Sequence, residues 1–189
     1  VVFFSEKDLF SIDLFVADVA TGKVRRKLVE TASDPHFDSL EFINSAGSWS
    51  PDGRTLAITA MRRGRPVLAL MEARSGRIRA ELPLRGLDDA ANPAFAPDGR
   101  SVVLSGNAGG LTDLYLLSLE TRTLERLTHD AFADVEPSFA PDGRTVVFAS
   151  ERFTTDLDTL QLGPLRLAAL DVATRAVGPI AAFLTGKHV

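Results

Sequence analysis

The pentapeptide Ser50-Pro51-Asp52-Gly53-Arg54 returns as Ala96-Pro97-Asp98-Gly99-Arg100 and again as Ala140-Pro141-Asp142-Gly143-Arg144. The three aspartates are 46 and 44 residues apart. An aromatic residue precedes each aspartate by three places (Trp49, Phe95, Phe139). An apolar run follows each: Leu56-Ala57-Ile58, Val102-Val103-Leu104, Val146-Val147-Phe148. Proline sets φ for the first central position of a type I turn. Aspartate accepts hydrogen bonds from nearby backbone N–H groups, and glycine takes the positive-φ position that lets a second strand run back. Pro51-Asp52-Gly53, Pro97-Asp98-Gly99 and Pro141-Asp142-Gly143 therefore read as structural hairpin turns with a glycine bulge. A fixed period of about 45 residues around one turn is the mark of a repeat architecture.

The rest of each period supplies the strands. Val1 to Lys7 aligns with Val146 to Arg152, so residue 1 already lies in the strand after a turn. The first unit therefore lacks its inner strand; its other strands read at Leu14–Asp18 and Val24–Val29. The second unit has strands near Ser48, Thr55–Ala60, Val67–Glu72 and Arg77–Leu82. The third has them near Ala94, Ser101–Ser105, Asp113–Leu119 and Leu124–Thr128, and the fourth near Ser138, Thr145–Ser150, Leu165–Val172 and Ala176–Ala182. Their apolar runs are nearly continuous, which suits strands buried on both faces. Four strands per period of this length specify an all-β chain, a β-propeller of four-stranded antiparallel blades packed face to face. About four blades are present in one region, 1–189, with units near 1–30, 45–84, 92–130 and 135–183, expected to be a fragment of a larger propeller. Trp49, Phe95 and Phe139 are expected in the cores between blades.

Little in the sequence supports catalysis. There is no cysteine, and the three histidines (His36, His129, His188) fall in no HExxH segment. Gly47-Ser48-Trp49-Ser50-Pro51 is not the GxSxG of a nucleophile elbow. Asp34-Pro35-His36-Phe37-Asp38 lacks the ligand set of a metal site, and Asp156-Leu157-Asp158 lacks the calcium-loop pattern. Gly106-Asn107-Ala108-Gly109-Gly110 is neither dinucleotide fingerprint nor phosphate loop and reads as a flexible turn. No catalytic residue, metal or cofactor is assigned. A formal charge of −4 without a basic block argues against a nucleic-acid partner. No run reaches the roughly 18 apolar residues of a membrane-spanning helix.

The units differ in length at two places. From turn aspartate to the end of the third strand is 20 residues in the second and third units (Asp52 to Glu72, Asp98 to Ser118) but 29 in the fourth (Asp142 to Asp171). The excess lies within Phe153 to Pro164. A second expansion, of roughly eight to ten residues by comparison of repeat spacings, joins the first two units around Asp34 to Glu41. Strands alternate in direction, so both expansions should emerge on the face opposite the Pro-Asp-Gly turns. The Gly106–Gly110 loop and His129-Asp130 should share that face. Binding surfaces of repeat proteins are often built from such insertions. The candidate binding residues are His36, Phe37, Asp38, Asn107, His129, Asp130, Arg152, Phe153 and Asp156. Phe37, Arg152 and Phe153 would supply the aromatic and charged contacts.

Trp49-Ser50-Pro51-Asp52-Gly53-Arg54, Asp113-Leu114-Tyr115-Leu116-Leu117 and Arg126-Leu127-Thr128 together resemble the repeats of TolB-like β-propellers. The resemblance runs from about residue 1 to residue 183. It implies a propeller, usually of six blades, in the bacterial periplasm or cell envelope that binds other proteins or peptides without catalysing a reaction. The remaining blades would come from the rest of a parent chain. Similar repeats form the gating propellers of prolyl oligopeptidase-like and tricorn-like peptidases. The alternative is therefore an accessory substrate-gating propeller of a hydrolase whose catalytic domain lies outside this chain. A self-contained four-bladed ring with a small ligand in its channel is a third reading. The tail Leu184 to Val189, which lacks the turn pattern, counts against it.

Overall fold

The computed structural model describes residues 1–6, 13–29, 39–40, 45 and 47–180, with the backbone alone at positions 4, 39 and 40. These residues form four antiparallel sheets, and no helix occurs among them. The first sheet has three strands, β1 (Val2–Ser5), β2 (Asp13–Ala17) and β3 (Val24–Val29). The second comprises β4 (Ser39–Leu40), β5 (Ser48–Trp49), β6 (Thr55–Arg62), β7 (Arg65–Glu72) and β8 (Ile78–Pro83). The third is β9 (Asp89–Phe95), β10 (Ser101–Ala108), β11 (Leu111–Ser118) and β12 (Leu124–Arg126). The fourth is β13 (Asp134–Phe139), β14 (Thr145–Ser150), β15 (Arg166–Asp171) and β16 (Val177–Pro179).

The continuous apolar runs are explained by how the sheets stack. Side chains alternate across a strand. In β6, Leu56, Ile58 and Ala60 pack with Val2 and Leu14 of the first sheet. The intervening Ala57 joins Val102, Leu104 and Tyr115 of the third. In β10 the partition repeats, with Val103 turned to Val146, Phe148 and Leu170 of the fourth sheet. Each fully buried leucine or phenylalanine contributes about 1.5–3 kcal/mol. Both faces of an inner blade are therefore apolar, and each blade is held by its neighbours.

The ends of the stack depart from this pattern. On the fourth sheet Leu167 is 48% exposed, while Ala168 on the opposite face is buried against the third sheet. Trp49 is 39% exposed, contrary to its expected place in an interblade core. Phe95 and Phe139 do pack against the clusters on their preceding blades.

Each Pro-Asp-Gly turn folds as its chemistry dictates. Gly53, Gly99 and Gly143 have φ of 68°, 70° and 67°. Their N–H groups donate to the carbonyls of Ser50, Ala96 and Ala140 at 2.8, 2.9 and 3.0 Å. Asp52, Asp98 and Asp142 each accept a hydrogen bond from the N–H two residues on, at 3.0, 2.9 and 2.9 Å. These contacts hold the aspartates as turn formers.

Two expectations about loops are corrected. Gly106, Asn107 and Ala108 belong to β10, not to a flexible loop, and only Gly109-Gly110 turns the chain. The space explains Gly106: a Cβ there would lie 2.7 Å from both Leu87 Cδ1 and Tyr115 Cδ2. The expansion between the first two units does not lie wholly in a connecting loop either. Leu40 pairs with Ala60 and Trp49 with Leu56, whereas the register-equivalent pairs in the third sheet are Ala90 with Gly106 and Phe95 with Val102. Nine residue steps thus replace five along the inner strand. Part of the expansion interrupts that strand at the register where the other inner strands bulge. There Asn92 (φ 52°) and Glu136 (φ 55°) precede Pro93 and Pro137.

Candidate functional site: the variable rim of the blades

Backbone bonds define two rims. At one, Ala73, Leu119 and Val172 donate to the carbonyls of Arg54, Arg100 and Arg144, joining the turns after first and third strands. At the other, Asp88 N donates to Asn107 O at 2.8 Å and Leu84 N to Pro66 O at 3.1 Å. This joins the hairpins after second strands to the links between blades. The first rim carries the repeated turns, and the second is built differently in each of the second, third and fourth blades.

On the variable rim Arg152 is the organising side chain. Its guanidinium bridges Asp134 and Asp130, the latter at 2.9 Å, and lies 5.5 Å from the Phe148 ring centroid. Asp134 is fully buried. Burial pushes its carboxyl above the usual range against the pull of Arg152. Its Oδ1 has no hydrogen-bond partner. Beside this pair Glu151 accepts bonds from Ala133 N and Thr155 Oγ1, at 3.3 and 3.0 Å.

The extra residues of the fourth blade form a hairpin. Asp156 and Gln161 exchange two backbone bonds of 2.9 Å. Asp156 Oδ1 also accepts from Asp158 N at 2.9 Å, and its hydrogen bonds to Thr159 hold its carboxyl below the usual range. Thr154 Oγ1 donates to Pro164 O at 2.6 Å and closes the base. Phe153, Leu157, Leu160 and Leu162 remain exposed along it.

The predicted residues therefore fall into separate groups. Arg152 and Asp130 are in contact, and Phe153 and Asp156 belong to the adjoining hairpin. His129 is exposed at the link before β13. Asn107 lies one blade away, its Nδ2 donating to Thr112 Oγ1 at 3.2 Å. It lines a hollow of about 300 Å³ between the inner strands of the third and fourth blades, with Asp89, Asn92, Ser105 and Glu136. His36, Phe37 and Asp38 lie outside the described residues.

Asp134 is not legible in the sequence, because it opens the inner strand β13 and its partner Arg152 lies beyond the next strand. Ser105, whose buried Oγ has no hydrogen-bond partner in that hollow, is not legible there either. Asp13 on β2 and Asp113 on β11 are buried and make ion pairs with the outer strands. Asp13 meets Lys27 at 2.7 Å, and Asp113 meets Arg126. The second blade exchanges the signs, pairing Arg62 with Glu81. Among the described residues no group of three or more His, Cys, Asp or Glu side chains could hold a metal ion, and there is no helix long and apolar enough to cross a membrane.

Antiparallel four-stranded blades stacked face to face, with one uniform rim and one variable rim, define a β-propeller scaffold. The family model of the TolB β-propeller domain matches residues 46–156, more than half of the chain, and the chain belongs to that family. The Tol-Pal system protein TolB of Anaeromyxobacter dehalogenans (strain 2CP-C) is 35% identical over 88 residues, which are 47% of this chain and 20% of that relative. The TolB of Francisella tularensis subsp. mediasiatica is 30% identical over 83 residues, 43% of this chain and 19% of that protein. The matched segments thus span about a fifth of these relatives' length. Among solved structures, putative TolB from Agrobacterium tumefaciens superposes with a TM-score of 0.71 at 21% identity, covering 94% of this chain and 59% of that one. A putative dipeptidyl aminopeptidase IV from Bacteroides ovatus gives a TM-score of 0.57 at 15% identity, over 94% of this chain and 29% of that chain. It shares the fold.

Proposed function

We propose that this chain is the non-catalytic, partner-binding part of a TolB-like propeller in the bacterial envelope. It holds a protein or peptide on its variable rim, and the remaining blades come from the rest of the parent chain. The observation that carries this reading is the contrast between rims. Three turns are near copies, while the opposite ends of the same strands carry different hairpins. Stacked blades give those hairpins a rigid base, which lowers the ordering cost of binding. Arg152 is fixed by two carboxylates, and Phe153 beside it is exposed.

The experiment places a photocrosslinking amino acid at Phe153, at Asn107 or at Asp98 of the turn rim, in the parent protein in its own cells. Crosslinks to a discrete partner from positions 153 and 107, and none from 98, are expected. Crosslinks from 98 alone would overturn the assignment of the face. A peptidase signature in the same reading frame would make the chain an accessory propeller of a hydrolase instead.

A further inference from the structure

The hairpin between β6 and β7 turns on Arg63 and Gly64, with φ of 51° and 68°. Positive φ at both central residues defines a type I′ hairpin, which favours asparagine, aspartate or glycine at the first position. The register-equivalent hairpin of the next blade has Gly109 and Gly110, at 62° and 89°. The second blade therefore places an arginine where turn geometry selects against a long side chain. Arg122 and Arg175 also have positive φ, in turns of the other rim, so it is the surroundings of Arg63 that single it out.

Arg63 has company. Arg65 and Arg85 are also exposed, and the side chains of the three make no hydrogen bond or ion pair among the described residues. Arg62, by contrast, is paired with Glu81. Arg65 and Arg85 flank a groove of about 660 Å³ whose floor is Pro66, Pro83, Leu84 and Leu87. Arg63 borders the adjoining hollow, which it shares with Arg65, Pro83 and the Arg62–Glu81 pair. Asp88 closes the far end of the groove, its Oδ2 accepting the Gly109 N–H at 2.8 Å. Among the described residues the two hollows thus hold four guanidinium groups against two carboxylates, Asp88 and the Arg62-paired Glu81, in a chain whose formal charge is −4. Guanidinium forks suit carboxylates, which they can grip with two parallel hydrogen bonds. The prolines and leucines of the floor offer apolar contact and no proline N–H.

We propose that this groove docks an acidic peptide segment of a partner protein, with apolar side chains on the floor and carboxylates on Arg63, Arg65 and Arg85. The inference rests on the variable rim being the binding face, and it names the chemistry of the partner there. Charge complementarity selects the acidic sign, and the concave apolar floor selects an extended chain. A lipid surface would meet only the arginine tips.

The test uses the full chain and a fluorescein-labelled octapeptide of alternating glutamate and leucine, read by anisotropy. A lysine-leucine peptide is the control. Binding to the acidic peptide alone is expected, weakening as salt screens the exposed charges within about 10 Å at 0.1 M. Replacing all three (Arg63→Ser, Arg65→Ser, Arg85→Ser) should weaken it about tenfold or more, as loss of complementary charges does. Arg77→Ser, in the turn between β7 and β8, should leave it within about twofold, because exposed charges beyond a Debye length are largely screened. Arg63→Gly copies the glycine turn of the third blade, so a loss of affinity in that variant cannot come from misfolding. Equal binding by the triple variant overturns the proposal, as does an equal loss in Arg77→Ser. Sedimentation with phosphatidylglycerol vesicles that needs the same arginines, without peptide binding, overturns it in favour of a lipid surface. None of these failures touches the crosslinking result at positions 107 and 153.

Discussion

At one end of the blades, a Cβ on Gly99 would rest 3.5 Å from Pro51 Cδ, and one on Gly143 would rest 3.8 Å from Pro97 Cδ. The second and third turns each lie against the turn before. The aspartates and glycines of all three turns satisfy their polar groups within five residues, and only the arginine carbonyl after each glycine reaches further, to the end of the third strand of its own blade. At the other end, the equivalent positions hold Arg63-Gly64, Gly109-Gly110 and the hairpin of residues 154–164. Their polar groups are satisfied over longer range. Asp88 serves Gly109 across 21 residues, and Arg152 serves Asp134 across 18. The turn rim is thus a local device that can be copied from blade to blade. The variable rim depends on side chains brought together from distant parts of one blade and its link, so it is not copied from blade to blade.

The largest effect should come from breaking the long-range side of this contrast. Arg152→Ala leaves the Asp134 carboxylate buried without its cation, and loss of one partner of a buried pair costs about 3 kcal/mol. Urea denaturation should show this as a lower midpoint. Arg152→Lys, which keeps a charge but loses the bidentate reach, should recover part of it. Asp142→Ala on the turn rim should lose far less, since solvent reaches the groups it leaves. If the two alanine variants are equally destabilised, the distinction between local and long-range satisfaction fails.

Gly106→Ala sharpens the same point inside β10. The added methyl must displace Leu87 or the Tyr115 ring, and overpacking of this kind costs about 1–3 kcal/mol. If position 106 were in an open loop, the substitution would be neutral. A normal urea midpoint for Gly106→Ala would restore the loop.

How much could be read beforehand follows from these distances. The Pro-Asp-Gly turns were fully legible, because φ and hydrogen bonding there are set by consecutive residues. The stacking was legible from unbroken apolar runs such as Val102-Val103-Leu104. Residue spacing shows that the link between the first two units is longer, but a count cannot say which register absorbs the extra residues. Some of them went into the inner strand between Leu40 and Ser48. Trp49 was misjudged because its environment belongs to the preceding blade, not to its own segment. Asp134 and Arg152 were separated by a whole hairpin, so nothing local announced their pairing. Arg63 was overlooked because charge was weighed over the whole chain, where acids outnumber bases.

The smallest expected effect is in the response to acid, where the two rims should have opposite signs. Hydrogen bonds from Thr145 and Arg144 hold the Asp142 carboxyl below its ordinary 3.8 in the folded chain. Its stabilisation is therefore complete above the unfolded value and is lost as pH falls through the lower folded value. Asp134 is shifted the other way by burial. The folded chain then binds its proton more tightly than the unfolded one. The cost of burying that carboxylate is full above the folded pKa and is relieved as pH falls through it. Urea midpoints of wild type, Asp142→Asn and Asp134→Asn, followed from neutral pH to about pH 3, isolate the two groups. Relative to Asp142→Asn, wild type should lose stability at the acid end; relative to Asp134→Asn, it should gain. A loss in both comparisons would mean that Arg152 outweighs burial at Asp134, making the variable rim an electrostatic clamp of the same sign as the turns.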